Sequence, residues 1–144
     1  MSIRDNILNY NNKITGNARL IAVSKTKPIE DLQEAYEVGQ RLFGENKALE
    51  MRDKHEILPK DIRWHFIGHL QTNKVKYIAP FVELIHSVDS LNLLKQINKE
   101  AIKNNRVIDC LLQIDIAHEE TKFGLEENEA DELLSSKEFA ELKN

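Results

Sequence analysis

Arg19-Leu20-Ile21-Ala22-Val23-Ser24-Lys25-Thr26-Lys27-Pro28 is the stretch on which the fold turns. From Leu20 to Val23 every side chain is apolar, so both faces of an extended segment would need cover, as in a strand of a parallel sheet. The run then ends abruptly in Ser24-Lys25-Thr26-Lys27. Pro28 supplies a fixed φ and no amide hydrogen, which suits the start of a helix. Ile29, Leu32, Ala35, Tyr36 and Val38 follow at helical spacing as far as Gly39. Strand, polar hinge and amphipathic helix make one βα unit.

The unit recurs along the chain. Further strands are predicted at 41–44, 63–68, 82–86 and 107–116, the last the most strand-like of all, with helices near 46–57, 71–79, 90–104 and 126–142. Residues 3–14 read as an opening surface helix, with Ile3, Ile7, Leu8 and Ile14 along one face. Strands alternating with helices predict an α/β fold with about five parallel strands and helical crossovers. Three strand ends close on polar residues: Ser24-Lys25-Thr26-Lys27, Gly44-Glu45-Asn46 and His86-Ser87-Val88-Asp89. Ligands of such sheets bind at the carboxyl ends of the strands, so these termini mark the candidate site.

Composition narrows the function classes. Lys and Arg number 20 against 24 Asp and Glu, a net charge of −4, so no overall positive field draws the chain to nucleic acid. No stretch approaches the roughly 18–20 apolar residues of a membrane span. The start, Met1-Ser2-Ile3-Arg4-Asp5-Asn6, lacks the basic and apolar segments of a secretory signal, which predicts a cytoplasmic protein. The lone Cys110 can form neither an internal disulfide nor a thiolate-rich zinc site, and its place in an apolar run predicts an inert thiol. At 144 residues the chain is far shorter than the roughly 250 of an eight-unit barrel.

Lys25 is the residue with the most chemistry to offer. Along the first strand it shares parity with Ile21 and Val23, which predicts an inward, shielded side chain. Lys27 lies two residues on, before Pro28, and the two ammonium groups would repel one another. Repulsion and desolvation both favour the neutral amine, the form that attacks an aldehyde. A solvated loop carrying two ordinary lysines is the competing reading, and parity by itself favours it.

Several segments together carry a more specific signal. Leu20-Ile21-Ala22-Val23-Ser24-Lys25-Thr26-Lys27-Pro28, Phe43-Gly44-Glu45-Asn46 and Trp64-His65-Phe66-Ile67-Gly68-His69-Leu70-Gln71-Thr72-Asn73-Lys74 resemble, in order and spacing, the YggS (PROSC) family of pyridoxal phosphate homeostasis proteins. The likeness continues through His86-Ser87-Val88-Asp89, Leu111-Leu112-Gln113-Ile114 and Glu120-Thr121-Lys122-Phe123-Gly124. It implies a TIM (β/α)8 barrel of PLP fold-type III, like the amino-terminal domain of alanine racemase, with pyridoxal 5′-phosphate as cofactor. By motif position Lys25 is the Schiff base lysine, Asn46 belongs to the cofactor pocket, His65, His86 and Ser87 line or support it, and Lys27 assists cofactor exchange or the loop structure. The role implied is cofactor binding and vitamin B6 homeostasis without established turnover. PLP-dependent apoenzymes are then the partners, with neither nucleic acid nor membrane involved, and the intact protein is a monomer.

The same resemblance sets two departures. Asp115 stands where the family commonly has asparagine. The family's later Ser-Met-Gly-Met-Ser-type strand end and Arg-Ile-Gly-type loop, which supply most phosphate contacts, are not found in these residues, and Gly16, Gly39, Gly44, Gly68 and Gly124 are all isolated. Residues 1–144 are therefore expected to form one partial alanine racemase N-terminal-like barrel domain lacking its carboxyl-terminal strands. The alternatives are a racemase-like fold-type III enzyme acting on amino acids and a non-functional fragment. Racemisation needs positioned acid/base groups, and Tyr10, Tyr36 and Tyr77 all fall on predicted helices.

The remaining residues have plainer readings. His65 and His69 sit on a strand end and the following turn with no grouped carboxylates, so no metal site is predicted; His55, His69 and His118 are read as surface positions. Trp64 and Phe66 have parity opposite to His65 and should pack against helices. Gln71-Thr72-Asn73-Lys74-Val75-Lys76 reads as a solvated helix start, and Lys122 is open between pocket and surface.

Overall fold

Five parallel strands line up in the order in which the chain makes them: β1 Ala22–Val23, β2 Leu42–Glu45, β3 Arg63–Phe66, β4 Leu84–Val88 and β5 Asp109–Leu112. The structure is a computed structural model that describes residues 1–120 and 123–144. Thr121 and Lys122 lie outside the described residues, and with them the placement of Lys122. Around the strands run α1 Ile3–Lys13, α2 Ile29–Glu37, α3 Ala48–Ile57, α4 Val75–Ile78, α5 Leu91–Lys103, α6 Glu127–Ser135 and α7 Lys137–Ala140. One 3-10 turn, Thr72–Lys74, leads into α4. No helix among the described residues is long and apolar enough to cross a membrane.

Local chemistry fixes the helix ends. Ser2 and Asp5 form a capping box at the start of α1, and the Ser90 hydroxyl accepts the Leu93 amide at the start of α5. The predicted helix over 126–142 is two helices. Ser136 is extended, φ −73° and ψ 148°, and its hydroxyl accepts the Phe139 amide, so it ends α6 and caps α7. The 107–116 run yields only the four-residue β5, followed by an isolated parallel bridge from Ile114 to Leu125.

Register tells which face of the sheet is covered. Val23 pairs with Gly44, Gly44 with His65, His65 with Leu84 and Leu84 with Asp109. The alternate residues Phe43, Trp64, Phe66 and Ile85 are buried in a core that also takes Leu32 and Ala35 of α2, Met51 of α3, Val75 and Ile78 of α4, and Leu93 and Ile97 of α5. Trp64 and Phe66 thus pack outward against helices, each burial contributing on the order of 2–3 kcal/mol. A β-bulge between Ile85 and Val88 brings both side chains to this layer.

The other face differs from the sequence expectation. Val23 is 53% exposed and Leu111 48% exposed, so strands that read as covered on both sides are covered on one. On that face Val23 and Leu111 stand in solvent while Gly44, under Ile21 and Ile67, and His65 are buried, and β1 and β5 form the two edges of the sheet. Sequential strands with every crossover helix on the same side build a barrel wall; a doubly wound sheet would reverse its strand order and place helices on both faces.

Candidate functional site

Past the paired residues Val23, Gly44, His65, Leu84 and Asp109, a row of sequence-predicted residues stands at the carboxyl end of the sheet: Lys25 and Asn46 lie just beyond the ends of β1 and β2, and His86 lies in β4 where the register shifts. Asn46 also lines a cavity of about 290 Å³ with Glu50, Phe66 and His69. His65, which meets His86, sits deeper. Ser87, in the bulged segment, is buried, and its hydroxyl has no hydrogen-bond partner among the described residues. Asn46 Oδ1 is likewise buried without a partner. Lys27 lies beyond the row, on the rim of a groove of about 360 Å³ between α1, α2 and β1.

One expectation needs correcting. Lys25 is not shielded: it is exposed, as are Thr26 and Lys27. Strand β1 ends at Val23 and Lys25 lies in the turn that follows, so the strand alternation that predicted a shielded side chain does not reach it. Glu45 also departs from its reading as a strand-end pocket residue. It shares parity with Phe43 and points into the helix layer, wholly buried.

A chain of polar groups crosses the inner face. Arg63 Nε donates to Glu83 Oε1 at 2.6 Å, His65 Nε2 meets Glu83 Oε2 at 2.8 Å, and His65 Nδ1 meets His86 Nε2 at 2.9 Å. Despite burial, the hydrogen bonds from Arg63 and His65 and their charges hold the Glu83 carboxyl below the usual carboxylate range. A carboxylate only accepts, so His65 Nε2 carries the proton. In a neutral His65, Nδ1 accepts from His86 Nε2 and His86 Nδ1 is an acceptor; in a protonated His65 the direction reverses. Burial first, and the charge of a protonated His65 second, hold the His86 imidazole below its ordinary value.

A second polar cluster lies on the helix side of the first strand end. Lys54 Nζ, in α3, donates to the Ser24 carbonyl at 2.7 Å, to Glu45 Oε2 at 3.0 Å and to Glu50 Oε2 at 2.8 Å. The Ser24 hydroxyl donates to Glu45 Oε2, and the Thr26 amide donates to Glu50 Oε2 at 2.7 Å. Burial raises the Glu45 carboxyl, while the contacts from Lys54 and Thr26 outweigh partial burial and lower Glu50. Thr26 has φ +63°, a left-handed conformation that costs a β-branched residue on the order of 1–3 kcal/mol and persists only where its surroundings hold it.

The carboxyl ends of β2 and β3 touch closely. A Cβ on Gly68 would lie 2.4 Å from the Asn46 carbonyl oxygen, so only glycine lets the two backbones meet. Nearby, the exposed His69 ring stacks on Phe123 at 3.7 Å and lies 3.5 Å from Asp89. His118 is exposed, whereas His55 is partly buried, stacked on Phe81 at 3.8 Å with Nδ1 unpartnered; burial lowers its ionisation. The Cys110 thiol is pushed up to about 12 by burial and by Asp109, so it is no nucleophile at neutral pH.

Glu50, Lys54, Glu83 and Arg63 were not singled out from the sequence. The first two stand four apart on one helix, a spacing that signals an ion pair but not what it holds. Glu83 lies 18 residues from His65, and nothing in the letters joins them.

A curved run of parallel strands with outer helices, carrying a lysine at the end of its first strand, defines this molecule as the wall of a (β/α)8 barrel. The family described as alanine racemase, N-terminal domain, matches residues 1–143, and the chain belongs to that family. Its relatives include the pyridoxal phosphate homeostasis proteins of Aquifex aeolicus, 48% identical over 117 residues, 81% of this chain and 51% of that protein, and of Escherichia coli K12, 38% identical over 121 residues, 81% and 52%. The chain thus spans about half the length of these relatives. Among solved structures, PipY of Synechococcus elongatus with PLP bound aligns over 99% of this chain and 66% of its own, with TM-score 0.87 and 30% identity. Alanine racemase from Streptomyces coelicolor, at 18% identity and TM-score 0.73 over 92% of this chain and 36% of its own, shares the fold.

Proposed function

We propose that the protein binds pyridoxal 5′-phosphate at the carboxyl ends of β1 to β4, through the amine of Lys25, and serves the cytoplasmic balance of that cofactor, passing it to PLP-dependent apoenzymes without turnover of its own. The observation that carries this reading is the gathering of Lys25, Asn46 and His86 at the carboxyl end of β1, β2 and β4, with Asn46 Oδ1 and Ser87 Oγ lacking partners among the described residues. Buried polar atoms left unpaired are costly, and a polar ligand at the strand ends would relieve them. The relatives named as pyridoxal phosphate homeostasis proteins, and the PLP-bound PipY, support the choice of ligand.

When bound, pyridoxal phosphate supplies an aldehyde that condenses with a primary amine and an electron-withdrawing ring. The chain's own part is nucleophile and frame. Lys25 offers the amine, and its exposure gives it access. Arg63 and Glu83 hold the His65 ring, which in its neutral form orients His86 with Nδ1 as an acceptor at the mouth of the sheet. Lys27 adds positive charge two residues from Lys25, on the rim of the groove between α1, α2 and β1.

Titration of the chain with pyridoxal phosphate, followed by borohydride reduction and peptide mapping, tests the reading. Wild type should be labelled at Lys25 and develop visible absorbance, and Lys25→Ala should lose at least about 90% of both. Equal labelling of Lys25, Lys27 and unrelated surface lysines would sink it. A racemase-like enzyme is the second reading, favoured by the free Nδ1 of His86; against it, Tyr10, Tyr36 and Tyr77 lie on helices α1, α2 and α4. Steady inversion of single-enantiomer amino acids would decide for the enzyme.

A further inference from the structure

We infer that Glu50 and Lys54 of α3 are positioning residues for Lys25: they fix the backbone on either side of that lysine and so aim its amine along the mouth of the sheet. This inference rests on the function proposed for Lys25. Lys54 holds the carbonyl of the residue before it, Ser24, at 2.7 Å, and Glu50 holds the amide of the residue after it, Thr26, at 2.7 Å. The 2.8 Å ion pair between Lys54 and Glu50 ties the two grips together, and Glu45 fixes Lys54 from the strand side at 3.0 Å. The three partners occupy all three donors of the Lys54 ammonium, leaving none for a ligand.

The geometry does more than brace a turn. Lys27 N donates to the Ser24 carbonyl at 3.1 Å, closing the loop, yet Thr26 within it keeps φ +63°. A threonine released from Glu50 would relax toward the ordinary extended or helical basins, and Lys25 would turn with it. Glu50 and Lys54 reach the loop from α3 and hold the Ser24 carbonyl and the Thr26 amide, not the Lys25 side chain, which is exposed. The cluster therefore works through backbone direction and needs no contact with the ligand. Condensation of an amine with an aldehyde joins carbon to nitrogen and releases water, and its rate depends on how often the amine points along the line of attack.

The test compares the full chain with Glu50→Ala and Glu50→Gln, and Lys54→Met is added if it folds. Two quantities are followed: amide hydrogen exchange at Thr26 without ligand, and the rate of borohydride-trapped pyridoxal phosphate at Lys25 relative to Lys27. Glu50→Ala should raise Thr26 exchange and lower Lys25 labelling by at least about tenfold each, with an unchanged far-ultraviolet spectrum. Glu50→Gln, which keeps an acceptor oxygen, should recover most of both. Unchanged Thr26 exchange in Glu50→Ala overturns the inference, as does faster exchange with undiminished Lys25 labelling. If wild type shows no preference for Lys25, the proposed function fails and the exchange measurement alone decides whether Glu50 holds the loop.

Discussion

Lys54 and Glu45 form a buried ion pair whose partners are 7% and 0% exposed at the side chain. Removing the cation would leave the buried Glu45 carboxylate with the Ser24 hydroxyl as its remaining partner and no opposite charge. Lys54→Met should therefore lower unfolding stability by about 3–5 kcal/mol at pH 7. The deficit should shrink on acidification, because Glu45, already raised by burial, takes up a proton and sheds its unpaired charge. Urea unfolding at pH 7 and pH 5 would measure both effects. His86 offers a second residue-level check. Burial and His65 both lower it, so its imidazole should titrate below the ordinary histidine range. His65→Leu removes the second cause only, and the nuclear magnetic resonance midpoint of His86 should rise without reaching the ordinary value. At this scale the letters identified chemistry without surroundings. Lys25, Asn46 and His86 stood out by type and position, but the pairing of Glu83 with His65 depends on a contact between adjacent strands that no local pattern encodes.

The helices owe their starts to short-range rules, of which the proline and the apolar spacing were read from the sequence, whereas β1 and β5 are shorter than the apolar runs that predict them. Pro28 precedes α2, Ser90 caps α5 and Ser2 with Asp5 opens α1, each through a side-chain or ring property of the residue itself. Helix α6 stops at Ser135 although the apolar spacing continues, because the hydroxyl of Ser136 serves the next helix. Periodicity cannot see such a break, since both helices turn apolar residues toward the same cluster around Leu125, Ala130 and Leu133. The junction of β2 and β3 carries the prediction at this scale. Gly68→Ala would drive a methyl group to within 2.4 Å of the Asn46 carbonyl, so one strand end must move. A loss on the order of 1–3 kcal/mol is expected in thermal or urea unfolding. Labelling of Lys25 should fall with it, since Asn46 stands in the same row.

For the molecule as a whole, the sign of the acid response follows from several groups acting together. His55 and His86 are both held below their ordinary values in the fold, so the unfolded chain binds their protons first and stability declines as pH falls through the ordinary histidine range. Glu50, Asp61 and Glu83 are lowered as well. What they contribute is present above the ordinary carboxyl range and is lost as pH drops through their folded values. Glu45, raised by burial, opposes them, its contribution growing on acidification. Urea unfolding across pH 7.5 to 3.5 should show a first decline below about pH 6.5 and a steeper one below about pH 4. His55→Phe, which keeps the stack on Phe81, should flatten the first decline. Constant stability across the first window would contradict the assigned histidine environments.

The sequence by itself determined the alternation of strands and helices, the parallel sheet and the row of polar strand ends, because apolar periodicity, proline and hydroxyl caps act within a few residues of themselves. Its likeness to the homeostasis proteins also pointed to the family that residues 1–143 match. Only the tertiary structure decided which face of the sheet is covered, that Lys25 stands in the open and that Glu45 turns away from the mouth. Alternation gives two faces but not which one the helices will take, and burial is a property of what lies opposite. The grip of Glu50 and Lys54 on the loop around Lys25 is of the same kind: it joins a helix to a strand end 24 and 30 residues earlier, a distance that only the folded chain closes.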